Sequence, residues 1–356
     1  MKLLLVTFSD NADHQDTLFG MYEQLQVETD VEPYLLAIKN PKVPLIRSDK
    51  TWLVDCPERP GICKKTLNLP LLTSLIKRIK KEKFDAIYFE SLHVWNLPIM
   101  IAVKKITHIY HVIHEVIPHE GDRQVTMVHW MNKTLVKFAD IIVLRNKTYT
   151  KQMTERYKIP PERIQFLELW RRYPDFTEPT YSGRVLFFGR INPYKGIDNL
   201  LEIARMCPQV QFDVIGRVDP QMEDIIQTLQ QEKNVTLNAE YVSDTQMREA
   251  FINADWVIAP YNSASQSGVI IDAYKYARPV IAYRVGAIPE QLADGESGYL
   301  IPAGDNKTFA QVLQKAMTME PDVYAHMCRR AYLYGKNKYA ADGAVQRFKQ
   351  IFCTEE

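Results

Sequence analysis

Two cations, Arg190 and Lys195, lie in Val185-Leu186-Phe187-Phe188-Gly189-Arg190-Ile191-Asn192-Pro193-Tyr194-Lys195-Gly196. An arginine offers a forked pair of donors to phosphoryl oxygens and a lysine a compact charge, so the two together suit a diphosphate. The apolar, aromatic run before them reads as a strand that Gly189 and Pro193 break, and Ile197 to Met206 then has helical spacing. Cations leaving the carboxyl end of such a strand face the crevice in which open α/β sheets bind ligands. Taken alone, an Arg-x4-Lys pair is more often two solvated loop charges, so the rest of the chain decides.

A second anion-binding signal follows downstream. Trp256–Ala259 reads as a strand running into Pro260-Tyr261-Asn262-Ser263-Ala264-Ser265-Gln266-Ser267-Gly268-Val269-Ile270-Ile271-Asp272, a small, polar turn that opens a helix. The amides of Ser267, Gly268 and Val269 at that helix start are expected to form an anion site. Asp272, one and a half turns on, is placed to accept from ribose hydroxyls. The plainer reading makes Ser267 an N-cap and Asp272 a charge that complements the helix dipole. Between the two signals, Phe212–Ile215 runs into a glycine turn bearing Arg217, and Tyr241-Val242-Ser243-Asp244 precedes a helix that Ser243 or Asp244 can cap.

Seven of the eight histidines precede residue 130, with His108, His111, His114 and His119 close together. Strand alternation over Ile106–Ile113 separates His111 from His108 and His114. His114-Glu115-Val116-Ile117-Pro118-His119 carries one residue too many for a helical zinc motif, and Pro118 spoils the helix. No metal site is expected.

The elements that must hold these residues alternate between apolar strands and amphipathic helices throughout, as in doubly wound parallel sheets. With 356 residues the chain suits two such α/β domains. The proline-bearing stretch 173–183 marks the boundary, giving expected domains 1–178 and 179–335 and a final segment 336–356. Residues 39–68, with four prolines, read as a long excursion.

Composition excludes several classes. A net charge of +1 argues against a dedicated nucleic-acid binder. Five scattered cysteines suggest neither a disulfide framework nor structural zinc. The first apolar run is too short for a signal peptide, and no run reaches the roughly 20 apolar residues of a spanning helix. A cytoplasmic protein, or one peripheral at an inner membrane face, is expected. Leu75–Lys83 is basic and amphipathic and Trp130–Phe138 sets aromatics beside cations. Such faces rest on anionic lipid or simply pack an apolar stripe inward.

From Arg184 to Asp305 the chain resembles the GT-B glycosyltransferases, and within them the retaining family 4. The resemblance runs through Phe188-Gly189-Arg190, Lys195-Gly196, Tyr241-Val242-Ser243-Asp244, Ser265-Gln266-Ser267-Gly268-Val269, Ala277-Arg278-Pro279-Val280-Ile281-Ala282, Val285-Gly286-Ala287-Ile288-Pro289-Glu290 and Asp294-Gly295-Glu296-Ser297-Gly298-Tyr299-Leu300-Ile301-Pro302. Each is weak alone, and together in this order they are specific. The resemblance implies two Rossmann-like domains facing a cleft, with an N-terminal acceptor-binding domain, a C-terminal nucleotide-sugar domain and a last helix that crosses back. It implies transfer of a sugar, with retention, from a nucleotide diphosphate sugar to a saccharide or lipid-linked saccharide in glycan, polysaccharide or glycolipid assembly. Neither cofactor nor metal is implied.

By the same resemblance His114, Arg190 and Lys195 are the catalytic group. Gly189, Arg217, Tyr241, Val242, Gln266, Ser267, Gly268, Val269 and Asp272 line the donor. Asp10, Asn11, Asp13, His14 and Glu115 face the acceptor, although the family's glycine-rich turn after the first strand is absent here. The family's pair of glutamates also departs, since their places fall to Ala264 and Asp272. A nucleotide-sugar isomerase or epimerase of this fold, needing further acid/base carboxylates, and a catalytically silent partner subunit are the alternatives.

Overall fold

The computed structural model describes residues 1–39, 41, 43–45, 47–56, 60–116, 125–240 and 242–352, without the side chains of residues 12, 13, 125 and 342. Of these, residues up to 169 together with those from 344 onward form one compact unit, and 170–343 form a second.

The first unit is built on strands β1 (Lys2–Thr7), β2 (Glu32–Ile38), β3 (Thr51–Val54), β4 (Ala86–Phe89), β5 (His108–Ile113), β6 (Ile141–Leu144) and β7 (Ile164–Phe166). They pair in the order β3-β2-β1-β4-β5-β6-β7, every pairing parallel. Helices α1 (Ala12–Leu25), α2 (Leu69–Glu82), α3 (Asn96–Val103), α4 (Val125–Leu135) and α5 (Thr150–Tyr157) connect them. Parallel strands covered on both faces need near-continuous apolar runs, and Leu3, Leu4, Leu5 and Val6 of β1 are buried accordingly. The segment read as a long excursion contributes β3, an edge strand whose Trp52 packs on Tyr34 and Phe84. α2 starts where Asn68 accepts from the Leu71 amide, and it buries Leu72, Leu75 and Ile79.

The second unit has strands β8 (Arg184–Phe188), β9 (Gln211–Ile215), β10 (Val235–Asn238), β11 (Trp256–Ala259), β12 (Val280–Tyr283) and β13 (Gly298–Ile301) in the order β10-β9-β8-β11-β12-β13. Its helices are α6 (Ile197–Met206), α7 (Glu223–Leu229), α8 (Asp244–Ile252), α9 (Gly268–Lys275), α10 (Ile288–Gln291), α11 (Asn306–Ala316) and α12 (Pro321–Tyr339). Both sheets are parallel with helices between the strands, the α/β class expected. Strand order reverses between β1 and β4 in one sheet and between β8 and β11 in the other. Ligands of open α/β sheets bind outside the strand ends at such points.

The last helix, α13 (Ala341–Gln350), brings Phe348 against Tyr88 at 4.9 Å between ring centroids, and Phe352 beyond it lies 4.5 Å from Tyr110. Lys349 reaches Glu28 at 2.8 Å and Asp30 at 2.7 Å. The chain passes between units at 169/170 and 343/344 rather than at the expected 178/179 and 335/336. The reason is local. The Arg171 amide donates to Tyr339 O (2.8 Å), the Ala341 amide donates to Arg171 O (3.1 Å), and the Tyr332 hydroxyl donates to Pro174 O (2.6 Å), which ties 171–174 to α12.

Candidate functional site

In the second unit the turns after β8, β9 and β11 press together. A Cβ at Gly196 would collide with the Pro260 carbonyl, and one at Gly216 with the Gly189 carbonyl, so glycine permits both approaches. A Cβ built at Gly189 lies 3.5 Å from both Lys195 Nζ and Val269 Cγ2, which locates the lysine head and the first turn of α9 on the same spot. Lys195 is 7% exposed and donates to the Tyr261 hydroxyl at 2.7 Å. Its Nζ lies 4.2 Å from the centre of the Tyr261 ring, a cation–π contact. Burial pushes the Tyr261 phenol up, the Ser267 hydroxyl working against it, so this partner stays neutral.

The sequence-predicted donor residues divide. Lys195, Gly189, Gly268 and Val269 come together, whereas Arg190 and Arg217 are exposed. Among the three expected amide donors Ser267 needs correction: its N–H donates to Gln291 Oε1 at 2.7 Å, and Gln291 Nε2 donates back to Ser267 O at 3.1 Å. The site therefore has the amides of Gly268 and Val269, first-turn groups without an intrahelical acceptor. Ser267 occupies the N-cap position with no side-chain cap.

Asp272, expected to meet a ribose, accepts at Oδ1 from Arg171 Nε at 2.9 Å, and both side chains are buried. The Arg171 Nη2 lies 3.1 Å from a Cβ built at Gly268, so this guanidinium flanks the start of α9. Ala264 is buried in the turn, and Gln266 is half-buried. Ser243 caps α8 reciprocally with Gln246. Val242 and Gln246 line a separate recess of about 450 Å³ with Ile215, Asn238, Arg184 and Asp213, which does not include Lys195. Tyr241 and His119 lie outside the described residues.

In the first unit a polar cluster occupies the ends of β4, β5 and β6. Glu90, His114 and Arg145 are each the first residue past one of those strands. His114 Nε2 lies 2.8 Å from Glu90 O and 3.2 Å from Glu90 Oε1. Arg145, fully buried, pairs with the same carboxylate and donates from Nη1 to Leu167 O at 3.1 Å. Burial pushes the Glu90 carboxyl up, but Arg145 and His114 outweigh it and hold it below its ordinary value. His14, on α1, stacks on His114 with ring centroids 4.1 Å apart and planes 12° from parallel. His111 is fully buried beside them, and burial, with His114 second, pushes it down to about 4.

The residues expected to face the acceptor are only partly assembled. His14 joins the cluster, while Asn11 caps α1, its Oδ1 accepting from the His14 amide at 3.4 Å. Asp10 is half-buried, Glu115 accepts through its backbone from Asn132 Nδ2 at 3.3 Å, and the Asp13 side chain lies outside the described residues. Sequence reasoning missed Glu90, Arg145, Arg171, Tyr261 and Gln291. For Glu90 and Arg145 a signal existed, since a charged residue directly after an apolar parallel strand sits on the ligand-binding edge.

Two doubly wound parallel sheets, with Lys195 and the first turn of α9 meeting at the switch point of the second, define a protein of the GT-B fold. Residues 182–319 match the family described as Glycosyl transferases group 1. The chain is 28% identical over 207 residues to the GDP-mannose:glycolipid 4-beta-D-mannosyltransferase of Xanthomonas campestris pv. campestris, covering 53% of this chain and 54% of that protein. It thus spans about half the length of that curated relative. In fold it is similar to the sucrose-phosphate synthase from Thermosynechococcus elongatus, with a TM-score of 0.75 at 15% identity over 99% of this chain and 98% of that one. It is also similar to Anabaena Alr3699/HepE in complex with UDP, with a TM-score of 0.73 at 15% identity over 99% and 100%.

Proposed function

We propose that the protein transfers a sugar from a nucleoside diphosphate sugar to the hydroxyl of a saccharide or lipid-linked saccharide, with retention at the anomeric carbon. The observation that carries this reading is the meeting of Lys195 Nζ and the first turn of α9 at Gly189. A buried ammonium and two first-turn amides supply fixed positive potential where a diphosphate gains charge as the glycosidic bond breaks, and they do so without reorganising. On this reading the departing phosphate takes the acceptor proton on the same face, and no divalent metal is needed because Lys195 and α9 already offset the charge. His114 meets a sugar hydroxyl.

The relatives named above support the substrate class. One is named for GDP-mannose and a glycolipid, and the Anabaena structure holds UDP. Among the described residues no helix is long and apolar enough to cross a membrane. α2 exposes Lys77, Arg78, Lys80 and Lys81 over its buried stripe, and Trp130 on α4 is exposed. We propose peripheral contact with anionic lipid through these faces. The decisive test incubates the protein with nucleotide sugars and lipid-linked or free saccharides and follows the product by mass spectrometry and anomeric NMR. Transfer with retention is expected. Turnover of the nucleotide sugar to an isomer without acceptor overturns the proposal.

A further inference from the structure

His114 has a fixed chemical polarity. Its Nε2 faces two atoms of Glu90, the backbone carbonyl oxygen at 2.8 Å and Oε1 at 3.2 Å. A carbonyl oxygen only accepts, and an ionised carboxylate only accepts, so Nε2 must carry the hydrogen. In the neutral ring the single lone pair is then at Nδ1.

Every part of this arrangement is braced. The Glu90 amide donates to Val6 O at 2.9 Å, which continues the β1–β4 ladder by one residue. Its carboxylate is 1% exposed and shares Oε1 with Arg145, whose own side chain is fully buried and anchored on Leu167 O. Arg145 balances the carboxylate charge and lets Glu90 stay ionised in the interior. The His14 ring, stacked 4.1 Å away, blocks rotation of the imidazole.

We propose that Glu90 and Arg145 are positioning residues that hold His114 as the Nε2–H tautomer, so that Nδ1 is presented as a hydrogen-bond acceptor for a substrate hydroxyl. This deepens the glycosyl-transfer reading and rests on it. No proton need move: the imidazole orients a hydroxyl by accepting its hydrogen bond. The same logic, in which the bond at one ring nitrogen sets the role of the other, operates wherever a carboxylate backs a histidine.

The test has two arms on the full chain. Ring-15N-labelled histidine NMR, with His114 assigned through His114→Gln, reads the tautomer with no reaction running. The Nε2–H form is expected in the native protein. In Glu90→Gln, whose side-chain amide can donate as well as accept, the Nδ1–H form should gain population. In the second arm Glu90→Gln should lower kcat by roughly tenfold to a hundredfold, the cost of losing an outer partner, while donor KM changes little, and Glu90→Asp should recover part of the loss. A native Nδ1–H tautomer, or a Glu90→Gln protein unchanged in tautomer, overturns the positioning role. Loss of donor binding equal to the loss of kcat also overturns it. A native protein that orients His114 as stated yet transfers no sugar refutes the functional reading alone.

Discussion

Arg171 Nε and Asp272 Oδ1 are 2.9 Å apart in a buried ion pair that joins the start of the second unit to α9. A pair of this kind costs desolvation to form, but removing one partner strands the other charge in the interior. Arg171→Met is therefore expected to destabilise the protein by about 3 kcal/mol, and the double variant Arg171→Met/Asp272→Leu by less than either single change. Urea denaturation of the four proteins checks this; additive losses refute it.

Lys195→Ala should lower turnover at saturating donor by roughly 10²–10³-fold, the effect of losing one charge-stabilising donor. Arg190→Ala should do less, because Arg190 is exposed while Lys195 is held by Tyr261. Steady-state kinetics of both variants decides, and equal losses count against the unequal roles.

Tyr261→Phe keeps the ring beneath Lys195 and removes its acceptor at 2.7 Å. The ammonium then loses its aim, and donor affinity should fall by about tenfold, equivalent to ~1.4 kcal/mol. Calorimetric titration with nucleoside diphosphates measures this directly, and unchanged affinity rules out the aiming role.

A chelator should leave transfer intact. Activity lost to EDTA and restored by a divalent metal overturns the assignment of phosphate neutralisation to Lys195 and α9.

The buried His111, pushed down to about 4, links stability to pH. Its folded value lies below the unfolded 6.5, so the unfolded chain binds more protons between these values and stability falls as pH drops from 6.5 towards 4. The loss attributable to His111 is about 3 kcal/mol, and below pH 4 it contributes no further slope. His111→Phe should flatten the stability profile over that window, which denaturant titrations at several pH values test.

The strands of both sheets were largely readable because parallel strands buried on two faces leave continuous apolar runs, as in Trp256–Ala259. Thr51–Val54 and Ile164–Phe166 carry little strand signal: one is four residues long within a proline-rich stretch, the other only three. Lys195 was legible from its glycine turn, but nothing in the turn separates a buried lysine from an exposed arginine. The Arg171–Asp272 pair spans 101 positions and the Arg145–Glu90 pair 55, so neither has a local pattern. The Ser267 amide likewise has no local pattern to show that it is taken, since its acceptor, Gln291, lies 24 residues further on.

Phe348, Lys349 and Phe352 complete the first unit from the far end of the sequence. Residues 344–352 are thus a detachable part of the first unit's core: cutting the chain after 343 would strip the rings that cover Tyr88 and Tyr110 and leave the contacts within 170–343 untouched.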